Sequence, residues 1–121
     1  MATVNLDTAV RLDIVCRRND TFKLEVNFGV EMPDSTDNSY AFNYATSDSV
    51  APEDSSAFTV SSIEGNTGLV TVDCVAGSMS MAPGLYVYDL AVTDTQGTRF
   101  DSGAIKTLLY GTFKVVDDLG A

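Results

Sequence analysis

The chain has 121 residues, enough for one domain and little more, and a chain of this size folds without needing a metal or a disulfide. Its 17 acidic residues against 7 basic ones give a net charge of -10. That balance excludes nucleic acid and anionic membranes as natural partners, because both are bound through Lys and Arg. It favours plain solubility, with docking onto a basic protein surface as the sharper reading. No stretch approaches the ~18–20 apolar residues of a membrane span. The opening Met1-Ala2-Thr3-Val4-Asn5-Leu6-Asp7 lacks the basic start and apolar run of a signal peptide. The expectation is therefore synthesis and folding in a cytoplasm, with Cys16 and Cys74 as reduced thiols. A cross-sheet pairing of Cys16 with Cys74 is the alternative.

In chain order, Val10, Leu12, Ile14 and Cys16 alternate with Arg11 and Asp13, the period of a strand with one face inward. Arg17-Arg18-Asn19-Asp20 breaks that run. Phe22, Leu24, Val26, Phe28 and Val30 then alternate with Lys23, Glu25 and Asn27 in the cleanest strand of the sequence. A polar loop over 31–39, marked by Pro33, Asp34 and Asn38, leads to a third strand with Tyr40, Phe42 and Tyr44 inward. A second loop covers 47–56. Phe58 and Val60 belong to a fourth strand, and Glu64-Gly65-Asn66-Thr67-Gly68 is a hairpin-like turn. Val70, Val72 and Cys74 mark the fifth strand.

Residues 76–83 are small and irregular, with room for one helical turn. Gly84 opens a sixth strand with Tyr86, Tyr88, Leu90 and Val92 on one face. A turn follows over 93–98, and 99–105 reads as either a loop or a short edge strand. The last strand carries Leu109, Gly111, Phe113 and Val115. A glycine inside a strand predicts a bulge or a close backbone approach. About seven strands divided by turns, with no convincing helical spacing, predict one all-β domain over 1–121, a sandwich of two antiparallel sheets. Phe22, Leu24, Val26, Phe28, Tyr88, Leu90 and Phe113 are the expected core. Tyr86, two residues past Gly84, is either a core ring or a tyrosine corner whose hydroxyl reaches back to cap a turn.

The sequence offers no catalytic set. It has no His, which removes the commonest general base and metal imidazole. Two distant Cys do not make a zinc site, and there is no phosphate-cradling glycine loop. Paired carboxylates can hydrolyse glycosides without His, but none of the acids stands out. Asp34, Asp37 and Asn38 in one loop and Asp48, Glu53 and Asp54 in the next are the calcium candidates, weighed against their ordinary use in turns. The reading is a non-enzyme with no cofactor and no metal.

The segments Asn19-Asp20-Thr21-Phe22-Lys23-Leu24, Gly65-Asn66-Thr67-Gly68-Leu69-Val70-Thr71-Val72, Ala82-Pro83-Gly84-Leu85-Tyr86-Val87-Tyr88-Asp89-Leu90 and Leu108-Leu109-Tyr110-Gly111-Thr112-Phe113-Lys114-Val115 follow one another in an order that resembles the immunoglobulin-like β-sandwich domain of phage tail and baseplate-associated proteins. The order is similar to the N-terminal domain of upper baseplate proteins. The resemblance covers roughly residues 10–117, and its most specific part is Pro83 to Leu90. It implies a virion structural protein that binds other virion proteins, or itself, through loops and free sheet edges in the tail or baseplate region. Capsid decoration is the alternative, and a carbohydrate- or receptor-binding module is the alternative of another class. The loops at 31–39, 47–56 and 98–106 are longer than the family's pattern. Those at 31–39 and 98–106 are the candidate contact loops.

Overall fold

Bulky β-branched and aromatic residues at every second position suit a pleated strand with one dry face. The computed structural model, which describes residues 9–46, 58–63 and 67–117, realises that pattern in eight strands. These are β1 (Val10–Arg11), β2 (Ile14–Arg17), β3 (Phe22–Asn27), β4 (Ser39–Ala45), β5 (Thr59–Ser61), β6 (Leu69–Cys74), β7 (Gly84–Asp94) and β8 (Ala104–Val116). One turn of 3-10 helix, Ala76–Ser78, lies between β6 and β7. The helical turn expected over 76–83 is thus present, and the ambiguous stretch 99–105 is loop up to Gly103 and strand from Ala104.

One sheet runs β1-β8-β7-β4, with β2 continuing along β8, and the other runs β3-β6-β5. This division, with β3, β6 and β5 on one layer and β4, β7 and β8 on the other, is that of an immunoglobulin-like sandwich. The expectation of wholly antiparallel sheets is corrected at one edge, where β1 and β2 run parallel to β8. The single strand expected from Val10 to Cys16 is also broken in two. At the break Leu12 N donates to Tyr110 O at 2.9 Å. The Asp13 carboxylate, rather than a backbone carbonyl, accepts from Thr112 N at 3.0 Å.

Gly111 makes that crossing possible. Any Cβ there would lie 2.5 Å from Leu12 O and 2.8 Å from Asp13 Oδ1, so the glycine marks a close approach of two backbones. The bulge of β8 falls elsewhere. Leu90 pairs with Leu109 but Ala91 with Thr107, so Leu108 is the extra residue, and both leucines are buried.

The core centres on Phe113, which has no exposed surface. Phe22 and Phe42 each place a ring 5.8 Å from it, Tyr44 5.6 Å and Phe58 6.1 Å, mostly edge to face. Phe22, Tyr86, Tyr88 and Leu90 are buried as expected. Leu24, Val26 and Phe28 only flank the core, because β3 is the outer strand of the smaller sheet. The strand also ends at Asn27 rather than Val30. Val10 shares the inward face of its partner Leu109, but neither it nor Leu12 is buried. They are 56% and 36% exposed, because β1 is a two-residue rim strand. Gly84 is exposed, so it belongs to the corner and not to the core. Of the two readings of Tyr86 the corner is the one found, its hydroxyl donating to Ala82 O at 2.6 Å. The turn predicted at Glu64–Gly68 lies partly outside the described residues.

Candidate functional site

The loops after β3 and after β7 come together at one end of the sandwich, and the last residue of β7 organises them. Asp94 is fully buried. Its Oδ2 accepts from Arg99 N at 2.9 Å and Phe100 N at 2.8 Å, and its Oδ1 accepts from Thr98 N at 3.1 Å. Its own carbonyl accepts from Gly103 N at 2.6 Å, so the loop leaves and re-enters the sheet beside one residue. Burial opposes the charge, but the backbone donors of Phe100, Arg99, Thr98 and Gln96 together outweigh it and hold the carboxyl below its usual value.

Thr95 ties this loop to the other. Its N donates to Asn38 Oδ1 at 2.8 Å, and its hydroxyl lies 2.9 Å from both Asn38 Oδ1 and Asp37 O. Asn38 Nδ2 in turn donates to Asp34 O at 3.0 Å. Asp34 Oδ1 accepts from Thr36 N and Asp37 N, closing the turn. Ser35 N donates to Ser62 O at 2.8 Å and Ser62 N donates back to Ser35 Oγ at 3.0 Å, which fastens the loop to the end of β5. Tyr40 donates its hydroxyl to Pro33 O at 2.6 Å, and burial first, with Asp94 and Asp34 adding to it, pushes that hydroxyl up to about 12. Met32, Pro33, Asp34 and Asn38 are buried, so this loop closes over the core.

Between the two loops is an apolar notch of about 130 Å³ lined by Phe28, Val30, Met32, Arg99, Phe100 and Leu108 among others. That is near the ~150 Å³ of a cavity that accepts a benzene-sized group. Val30 is 46% exposed at its edge. The Arg99 guanidinium sits 5.4 Å from the centre of the Phe100 ring, a cation held over an aromatic face beside an apolar hollow. The two expected contact loops, 31–39 and 98–106, are therefore joined at this end. Asp94, Arg99, Phe100 and Val30 are the residues that reading the sequence missed. The signal available was Asp94 at a strand end, followed by the polar Thr95-Gln96-Gly97-Thr98.

The calcium candidates separate. Asp34 and Asn38 spend their oxygens on the loop lattice, while Asp48, Glu53 and Asp54 lie outside the described residues. No group of three His, Cys, Asp or Glu that could hold a metal occurs among the described residues. No helix among them is long and apolar enough to cross a membrane. Cys16 and Cys74, on opposite sheets, are free thiols. Burial, with Asp20 and Cys74 adding to it, raises the Cys16 thiol to about 11, and burial raises Cys74 as well.

No protein-family model and no curated protein matches the chain. Among solved structures it is similar to one described as the structure of the BTLA ectodomain, at 14% identity and a TM-score of 0.41, over 94% of this chain and 95% of that one.

Proposed function

We propose that this chain is a non-catalytic protein-binding domain that works as a structural component of a phage particle, in the tail or baseplate region, through the loop end of its sandwich. The supporting observation is the locked pair of loops around the Arg99–Phe100 notch. A surface already ordered by Asp94 and Asn38 loses little freedom on docking, so contact energy goes into affinity. A hollow of this size suits one apolar anchor side chain from a partner, with Arg99 at its rim for a carboxylate. The address within a virion rests on the resemblance of the strand motifs.

Electron microscopy of intact particles at side-chain resolution, with copies counted by mass spectrometry, tests the reading. The expected result is a low copy number at the tail, with the loop end against a neighbour. Hundreds of copies on the head would replace the tail assignment with capsid decoration. Absence from purified particles would overturn the virion reading altogether. Arg99→Glu and Val30→Glu are expected to leave the fold intact and block incorporation.

A further inference from the structure

The notch at the loop end is unlike the rest of this acidic molecule. The net charge is -10, yet among the described residues Arg99 is the one charged side chain that lines the notch, and its other walls are apolar apart from Thr107. Glu31 and Asp101, near it in sequence, are exposed and form no part of the lining. Asp94 spends its charge on the amides of Thr98, Arg99 and Phe100. Such a hollow selects an apolar side chain with a carboxylate next to it.

The chain carries that pair itself. β8 runs from the loop end, at Ala104, to the opposite end of the sandwich, at Val116. There Arg17 Nη1 donates to Asp117 O at 2.6 Å, and Arg18 Nη1 lies 4.0 Å from Asp117 Oδ1, so the backbone is fastened beside β2. The sequence continues Asp118-Leu119-Gly120-Ala121. Leu119 offers an isobutyl group, smaller than the benzene that a ~150 Å³ cavity accepts. Asp118, just before it, offers a carboxylate for Arg99.

Leu119 cannot enter the notch of its own copy. Leu108, on the notch wall, stands eight residues before Val116 on β8, or ~26 Å at ~3.3 Å per residue. Leu119 is three residues past Val116, a reach of at most ~11 Å. The nearer segment, 1–8, is the less suitable occupant. Val10 is itself part of the notch wall, so the chain would have to reverse within Asp7-Thr8-Ala9 to bring Leu6 into the hollow, and this segment holds the single carboxylate of Asp7.

We infer that the notch receives the segment after β8 of a second copy, with Leu119 in the hollow and Asp118 on Arg99, so that copies join head to tail. The inference rests on the reading of the notch as a docking site and names its occupant. The contact is smaller than a standard interface and weak, and its energy lies in one anchor and one charge pair. Because it joins two different patches, it closes into a ring or continues as a filament.

Sedimentation equilibrium of the full chain in low salt, at ~10–500 µM to suit a contact below standard size, should show a mass that rises past that of a dimer. Leu119→Asp spoils the segment and Val30→Glu the notch, and each is expected to weaken association about tenfold or more. Mixed in equal amounts, the two variants should form a one-to-one pair and nothing larger, since each supplies the half that the other lacks. Titrating the L119D chain with an end-blocked Asp-Asp-Leu-Gly-Ala peptide should shift the amide NMR signals of Val30, Arg99 and Phe100. A wild-type chain monomeric to ~500 µM, beyond the range of a specific weak contact, overturns the inference and leaves the notch reading to its own test in particles. Association that survives L119D but is lost in V30E keeps the notch and removes this occupant, and loss on deleting residues 1–8 would then assign the hollow to them. Association indifferent to V30E, or peptide shifts away from the notch, overturns the inference as well.

Discussion

The carboxylate of Asp94 grips the backbone N–H of Phe100, six residues further on, at 2.8 Å. The whole β7–β8 loop is wound around that one buried side chain, with Arg99 N and Thr98 N on the same two oxygens. A negatively charged acceptor is what three converging amide donors require.

Asp94→Asn is therefore expected to cost about 3 kcal/mol, since the amide group would turn a donor toward donors and the bonds lose their charge. Urea unfolding at neutral pH measures this. The pH dependence follows from the lowered pKa of Asp94. A carboxyl whose folded pKa lies below its unfolded one contributes fully above the unfolded value of ~3.9, and its contribution is lost as the pH falls through the folded value. Wild-type stability should decline on acidification below about pH 4, and the Asn variant should show a shallower decline in that window. Parallel curves for the two proteins would remove Asp94 from the account.

Gly111→Ala places a methyl group 2.5 Å from Leu12 O. Neither backbone can yield without breaking the Asp13–Thr112 bond or the Leu12–Tyr110 bond. A loss of about 2–3 kcal/mol is expected, with faster hydrogen exchange in β1 and β2 but not in β3 or β6. Uniform loss of protection over both sheets would show that the two edge strands are not the site of damage.

Tyr86→Phe removes a hydroxyl that donates to Ala82 O and leaves the ring in the core. The expected cost is about 1 kcal/mol, read as a lower urea midpoint at unchanged slope. Phe113→Ala is the contrasting case. It empties the centre of a ring cluster that includes Phe22, Phe42 and Tyr44, and should cost about 3–5 kcal/mol.

The Cys16 thiol, raised to about 11, is protonated at pH 8. An ordinary thiol near 8.5 is partly ionised there, so alkylation of Cys16 in the folded chain should be about 100-fold slower than that of a free cysteine. Unfolding in guanidinium should bring both thiols to the ordinary rate. Rapid labelling of Cys16 at native conditions would contradict its half-buried place on β2.

Most of the sandwich was legible because period-two alternation sets both the strand and its inward face. Tyr86, Tyr88, Leu90 and Val92 along β7 are the clearest instance, and all are buried. Alternation is silent about neighbours, so it could not show that the first strand runs parallel to the last. It could not show either that the pattern from Val10 to Cys16 is interrupted by a side-chain acceptor at Asp13. The exposed positions of Val10 and Leu12 follow from that rim location. The loop end was legible only as two long polar segments. That Met32 would be buried beneath one of them, and that Asp94 would gather the other, depends on contacts between residues dozens of positions apart, such as Thr95 with Asn38.

The parallel pairing of β2 with β8 has a mechanical meaning. The chain enters β1 at Val10, beside Leu109, and leaves β8 at Val116, beside Arg17. Entry and exit are thus at opposite ends of one ladder, ~23 Å apart at ~3.3 Å per residue. Tension applied across these two points pulls the strands along their own length. The ladder bonds then bear the load together rather than opening one after another like a zipper. A domain wired this way resists stretching along these two strands far better than its equilibrium stability would suggest.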